Sequence, residues 1–206
     1  MKKQGATLVD PADFGTFGKF DDSKALVMLY EQKADLNAYL ARPEFSPSVK
    51  TLKEIIEFNE RNREKEMPYF GQDQFVKAEA KGPLTEKEYL DAVAMNHQLA
   101  RAEGINALMD KYRLNAIVAP TAGPACLTDL IDGDNIGSLS GSLSAATVAG
   151  YPNINVTAGF ISGLPVGISF FGRAWSEPTL VKLAYSFERA TKARPAPRFL
   201  PTIGLT

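Results

Sequence analysis

The sequence contains very little cysteine and histidine and has no excess charge of either sign. The single cysteine, Cys126, excludes an internal disulfide framework and a thiolate metal cluster. The single histidine, His97, excludes a metal site built from several histidines. The 23 lysines and arginines nearly balance the 24 aspartates and glutamates, which leaves a net charge of −1. We therefore expect no metal and no cofactor. We also expect no nucleic-acid partner, because the balanced charge provides no basic field for a phosphate backbone.

Long hydrophobic runs are also absent. The sequence has no run of about 18 apolar residues, the length that a membrane-spanning helix needs. The basic residues at the start are followed by an apolar stretch, 6–9, that is far too short for the core of a signal peptide. We therefore expect no membrane partner and a cytoplasmic location. A length of 206 residues predicts a single domain over 1–206.

Helical periodicity alternates with short apolar runs along the chain, which predicts an α/β protein. Thr51 or Ser48 can cap the second of the predicted helices. A further short strand is expected after a glycine cap at Gly5. The predicted helices cover 21–40, 52–59, 70–80, 86–112, 138–150 and 177–193, and the predicted strands cover 115–120, 153–158 and 165–171. The last two strands are close enough in sequence to form a hairpin.

Several residues with catalytic potential lack the partners that catalysis requires. His97 lies on the apolar stripe of the long predicted helix, which favours a structural role. The run 137–141 (GSLSG) has Leu139 where a nucleophile elbow needs serine. Cys126 lies in a long loop without an evident base. Residue chemistry alone therefore identifies no catalytic group.

Phosphate and calcium motifs are likewise incomplete. Neither of the glycine-rich phosphate-binding patterns occurs in the sequence. Three aspartates in the loop after residue 121 lack the spacing and the terminal glutamate of a calcium loop, which favours an acidic surface turn. These are Asp129, Asp132 and Asp134.

Four blocks closely resemble the C-terminal part of the amidase-signature enzymes, in the same order and with the same spacing. They are 114–121 (LNAIVAPT), 149–156 (AGYPNINV), 163–173 (GLPVGISFFGR) and 177–180 (EPTL). Upstream, 52–59 and 68–72 are most similar to the peptide-amidase-like branch. Essentially the whole chain is covered, and it corresponds to the second half of the family's sequence. The resemblance implies an α/β fold with a mixed β-sheet flanked by helices.

The family's catalytic residues have no counterpart in this sequence. Its members hydrolyse amides with a serine nucleophile, a bridging serine and a lysine base, beside a Gly-Gly-Ser-Ser-Gly-Gly stretch that stabilises the oxyanion. Here there is no Gly-Gly pair, and none of the 23 basic residues has the context of the family's lysine. The resemblance implies a parent reaction that hydrolyses linear carboxamides and releases ammonia. We expect the isolated chain to be inactive and assign it no catalytic residue.

Two residues are predicted to face the substrate. Thr121 ends the strand that borders the pocket in relatives. Ser140 matches an aspartate that holds the substrate's amino group in the glutaminyl-tRNA amidotransferase A subunit. Because serine lacks that charge, Ser140 argues against free glutamine as the substrate. The alternative is that Thr121 caps a strand end and Ser140 begins a helix.

The partner implied by the resemblance is a small amide or a peptide amide. The missing N-terminal half of such an enzyme, or a second copy of the chain, is a further candidate partner. A non-catalytic amide-binding or self-assembling module is the alternative function, since an exposed apolar surface favours association. A hydrolase that uses His97 is a third hypothesis.

Overall fold

The computed structural model describes residues 1–13, 15–44, 48–133, 143–197 and 199. Internal contacts divide the chain into two compact units. One unit, the helical unit, is formed by Gly18–Asn96. The other, the sheet unit, combines Met1–Phe17 with the chain from His97 onward. That 1–206 form a single domain stays a prediction.

The first two helices of the helical unit begin at recognisable start signals. Asp21 and Asp22 supply negative charge to the first turn of the first helix, as its dipole favours. The Thr51 hydroxyl accepts a hydrogen bond from the Glu54 backbone N–H at 3.2 Å, so Thr51 is the cap of the second helix. The helices are α1 (Asp21–Leu40), α2 (Leu52–Arg61), α3 (Arg63–Glu66), α4 (Asp73–Glu79) and α5 (Lys87–His97).

A buried hydrogen bond links the two ends of the helical unit's sequence. The Ser23 hydroxyl lies 2.7 Å from Asn96 Oδ1 and 3.1 Å from the Phe20 carbonyl oxygen. Ser23 and Asn96 are both buried, so each side chain provides the hydrogen-bond partner that water would otherwise supply to the other. Tyr30 and Leu52 are buried in the apolar interior of the same unit.

The predicted helix 86–112 is interrupted by a π-helix. The chain forms α5, then a π-helix over Gln98–Asn106, then α6 (Ala107–Tyr112). A Cβ on Gly104 would lie 2.6 Å from the Leu99 carbonyl oxygen, so this turn requires glycine. Periodicity at 100° per residue does not signal such a turn, and the prediction of one regular helix was wrong in this middle segment.

The sheet unit contains a three-stranded antiparallel sheet in the order β1-β3-β2. The predicted hairpin is confirmed: β2 and β3 are joined by Ser162 (φ 49°) and Gly163 (φ 78°), the positive-φ pair of a tight hairpin turn. One extra residue, Ala158, forms a bulge between Thr157 and Gly159. The strands are β1 (Ile117–Pro120), β2 (Asn153–Ile161) and β3 (Leu164–Phe171), and the later helices are α7 (Leu143–Ala149) and α8 (Glu177–Thr191). The α/β prediction is confirmed.

The strand predicted after Gly5 is not observed. Lys2–Gln4 form a 3₁₀ turn, and Gly5, at φ 87°, caps it as predicted. The following residues, 6–13, pair with no described strand. Residues 4–9 instead line a cavity of about 520 Å³ together with α8.

Helix α8 covers one face of the sheet. Phe170, Leu180 and Ala184 are buried at this contact, and the Phe170 and Phe187 rings meet edge to face at 5.9 Å between centroids. Since side chains alternate along a strand, Ser169 and Gly167 point to the opposite face. Among the described residues, no helix has the length and apolarity to cross a membrane.

Candidate functional site

Three neutral polar side chains meet where β1 ends, on the face of the sheet opposite α8. Thr121 follows β1, and its backbone N–H donates to the Gly167 carbonyl at 2.9 Å. Its Oγ1 lies 2.9 Å from Ser169 Oγ on β3 and accepts from Asn155 Nδ2 on β2 at 2.5 Å. We call Thr121, Asn155 and Ser169 the strand-end cluster. The predicted site residue Thr121 is thus held by partners on both of the other strands, the adjacent β3 and the outer β2.

Gly167 leaves the space that this cluster occupies. A Cβ at this position would lie 2.5 Å from Asn155 Nδ2 and 2.8 Å from Thr121 Oγ1. Both distances are shorter than a side-chain contact allows, so any larger residue would separate the two groups. The glycine therefore permits the side chains of the outer strands to meet across the middle strand.

Burial differs sharply within the cluster. Ser169 has no exposed surface, Thr121 is half-buried, and Asn155 is exposed. A hydroxyl in the interior needs a partner, whereas an exposed amide can also bind a molecule from solution. The cluster consequently has one anchored end and one open end.

Ser140, the second predicted site residue, lies outside the described residues. The helix that follows it, α7, is held in place at its C-terminal end by Arg101. Arg101 Nε donates to the Ala149 carbonyl oxygen at 2.6 Å, and its guanidinium lies 5.7 Å from the centre of the Tyr151 ring. A cation at the last helical carbonyl also complements the helix dipole.

His97 has no side-chain hydrogen bond to any described residue. Burial and then the nearby Arg101 charge hold the pKa of His97 below its ordinary value, which favours a neutral ring. Cys126 is exposed. The described part of the chain therefore gives neither residue the partner that a catalytic nucleophile or base requires.

The acidic loop forms a turn. Asp129 Oδ1 accepts hydrogen bonds from the backbone N–H groups of Ile131 and Asp132, each at 2.9 Å. The Asp132 N–H and then the Ile131 N–H lower the pKa of the Asp129 carboxyl. Within the described ranges no group of three potential metal ligands occurs. Asp134 lies outside them.

A separate polar cluster lies in the helical unit. The buried Tyr30 hydroxyl is 2.7 Å from Glu86 Oε2 and 2.6 Å from Glu88 Oε2, and Lys81 Nζ is 3.3 Å from the same Glu88 oxygen. The hydrogen bonds to Glu86 and then Glu88 raise the pKa of Tyr30, so the phenol stays protonated. This arrangement stabilises helix packing and offers no nucleophile.

Sequence reasoning missed Asn155 and Ser169. They lie 34 and 48 positions from Thr121, and only the strand register brings them together. A partial signal was present, because both lie in the predicted hairpin strands and inside the blocks that resemble relatives. The pattern could not indicate which of its polar residues point to the same face as Thr121.

Comparisons with known proteins identify the family. The amidase family model matches residues 1–181, and the chain belongs to that family. A protein of Arabidopsis thaliana that is named a probable amidase is 35% identical over 206 residues, which cover 97% of this chain and 36% of the relative.

Solved structures agree with the sequence match. A peptide amidase in complex with the competitive inhibitor chymostatin superposes with a TM-score of 0.87 at 37% identity, over 96% of this chain and 39% of that one. The native peptide amidase from Stenotrophomonas maltophilia gives a TM-score of 0.78 at 38% identity, over 88% of this chain and 36% of that one. This protein therefore has an amidase-signature, peptide-amidase-like fold. The chain spans little more than a third of the length of these relatives.

Proposed function

We propose that this chain supplies the substrate-facing wall and part of the sheet of an enzyme that hydrolyses linear carboxamides and releases ammonia. The observation that carries the proposal is the fit to a peptide amidase at a TM-score of 0.87 and 37% identity, with Thr121 at an open strand end. The neutral strand-end cluster suits an uncharged amide better than a carboxylate or a phosphate. A small amide or a peptide amide is the proposed substrate class.

The 206-residue chain by itself is proposed to be inactive. It has no Gly-Gly-Ser-Ser-Gly-Gly stretch and no lysine in the family's context. Acyl transfer without nucleophile, base and oxyanion donors loses nearly all of its rate acceleration. The chain therefore needs catalytic groups from elsewhere in an amidase.

A complementation assay tests both parts of the proposal. The peptide amidase of Stenotrophomonas maltophilia would be expressed without the portion that matches this chain, alone and together with the 206-residue protein. Ammonia release from a peptide amide is the readout. We expect activity only from the pair. Activity of the 206-residue protein alone would overturn the inactivity proposal, and its loss in His97→Ala would support a histidine-dependent hydrolase.

If the co-expressed pair is folded and associated but releases no ammonia, the carboxamidase proposal fails. A control pair that carries Thr179→Val, an exposed position on α8, shows whether any surface change reduces activity. Ser140 remains a proposed substrate contact. Ser140→Asp in the active pair should improve hydrolysis of amides that carry a free amino group, and an unchanged preference would contradict that role.

A cavity beside α8 favours a second candidate, a non-catalytic binding or assembly module. The cavity of about 520 Å³ is formed by 4–9, 112–116 and the α8 residues Leu183, Phe187 and Ala190. Its lining is mostly apolar, as expected of a surface that another chain or a second copy covers. Light scattering combined with an amide titration separates the candidates. A monomer that binds no amide would exclude the module.

A further inference from the structure

The hydrogens of the strand-end cluster can be assigned from burial. Ser169 Oγ is fully buried, and its one hydrogen-bond partner among the described residues is Thr121 Oγ1. If Thr121 donated to Ser169, the serine proton would be left buried without an acceptor, which is costly. Ser169 therefore donates to Thr121. Asn155 Nδ2 donates to the same oxygen.

Thr121 keeps its own proton in this arrangement. A threonine oxygen has two lone pairs and one hydrogen, and both lone pairs are used by Ser169 and Asn155. The remaining O–H is directed away from both donors, and Thr121 is half-buried. The hydroxyl is thus a fixed donor for an acceptor from solution.

Asn155 provides the matching acceptor. Its Nδ2 is held by Thr121, which sets the orientation of the amide and leaves Oδ1 beside Gly167, 2.8 Å from the place of an absent Cβ. Oδ1 has no hydrogen-bond partner within the described ranges, and the residue is exposed. One donor and one acceptor therefore lie side by side on a neutral surface.

We propose that Thr121 and Asn155 bind one amide group of the substrate, with the Thr121 O–H donating to its carbonyl oxygen and Asn155 Oδ1 accepting its N–H. The inference rests on the proposed function and adds a second residue, Asn155, and a selection rule. A carboxylate, which is the hydrolysis product, has no N–H to donate and places an anionic oxygen against Oδ1. The pair therefore favours the amide over the acid.

Binding to the 206-residue protein tests this inference without any turnover. Side-chain NMR signals of Asn155, labelled with ¹⁵N, would be followed during titration with 4-methylpentanamide, which carries a single amide group. The matching carboxylate, 4-methylpentanoate, and the N,N-dimethyl amide serve as comparison ligands, because neither contains another amide N–H. We expect the primary amide to bind roughly tenfold more tightly than either, since each lacks one hydrogen bond of the pair.

Variants separate this role from a structural one. Thr121→Val and Asn155→Leu should each weaken amide binding by roughly tenfold, and Thr121→Ser should restore it. Gly167→Ala keeps both functional groups but forces them apart, so it should also abolish the preference for the amide. Thr179→Val is the matched control, and urea unfolding confirms that each variant is folded.

Three results would overturn the inference. They are equal affinity for amide and acid, unchanged affinity in folded Thr121→Val or Gly167→Ala, and no measurable amide binding by the folded wild-type chain. The outcome is independent of the complementation assay. If the co-expressed proteins release ammonia but Thr121 and Asn155 do not select the amide, only the inference is refuted. If the 206-residue chain binds the amide selectively but the folded, associated co-expressed proteins release no ammonia, only the proposed function is refuted.

Discussion

Thr121 Oγ1 and Ser169 Oγ lie 2.9 Å apart on neighbouring strands, and the serine of this pair has no exposed surface. The pair joins the end of β1 to the middle strand β3, in addition to the backbone hydrogen bond from the Thr121 N–H to the Gly167 carbonyl oxygen. It therefore acts both in stability and in the orientation of the Thr121 hydroxyl.

Replacing Ser169 by alanine should lower the free energy of unfolding by about 1 kcal/mol, because one buried hydrogen bond is lost. Thr121 would retain Asn155 as its donor, so the strand end should stay in place. Urea unfolding monitored by circular dichroism measures the change. Stability equal to wild type would show that the Ser169 hydroxyl makes no net contribution.

Ser23→Ala should cost more, about 1–3 kcal/mol, because it leaves the buried Asn96 Oδ1 without its donor. The double variant Ser23→Ala with Asn96→Leu removes both polar partners and should recover part of the loss. A double-variant cycle from urea unfolding gives the coupling energy. Strictly additive effects would contradict a direct interaction.

Leu180→Ala should destabilise the sheet unit by about 2–5 kcal/mol, since a fully buried side chain leaves a cavity against Phe170. Val181→Ala, at the next position of α8, is the control. That valine is 54% exposed, and its truncation should change stability by less than about 0.5 kcal/mol. Similar losses for both variants would mean that α8 does not bury this face.

His97 should make stability depend on pH. Its pKa is held below the ordinary value of 6.5, so below that pH the unfolded chain binds a proton that the folded chain does not. The free energy of unfolding should therefore fall as pH drops from about 7 to 5. Above the unfolded pKa, His97 should cause no loss of stability. In His97→Gln the decline over this range should be smaller. Parallel curves for wild type and variant would contradict the pKa shift.

Regular elements were predictable because their signals are local. Helix α1 begins at the acidic pair and ends at Leu40 as predicted, and the hairpin followed from two apolar runs around a glycine turn. The π-helix was not predictable, because the approach of Leu99 to Gly104 depends on a missing Cβ that periodicity does not register. The segment after Gly5 has the local pattern of a strand but forms none in the described structure, because a local pattern does not determine whether backbone pairing occurs.

The candidate site was predictable only in part. Thr121 was found through a sequence block shared with relatives, whereas Asn155 and Ser169 depend on cross-strand register. Register on this side of the bulge pairs Asn155 with Ser169, and a shift of one position would point Asn155 to the other face. No residue type by itself carries that information.

The bulge at Ala158 divides the hairpin into two sections that differ in strand register. From Gly159 to the tip, the register is shifted by one residue relative to the register of residues 153–157. Insertions, epitope tags or randomised loops placed around Ser162 should consequently be absorbed at the tip without rotating Asn155 away from Thr121. The outer end of the hairpin is thus the place where this chain can be extended or labelled while its amide-facing end keeps its alignment.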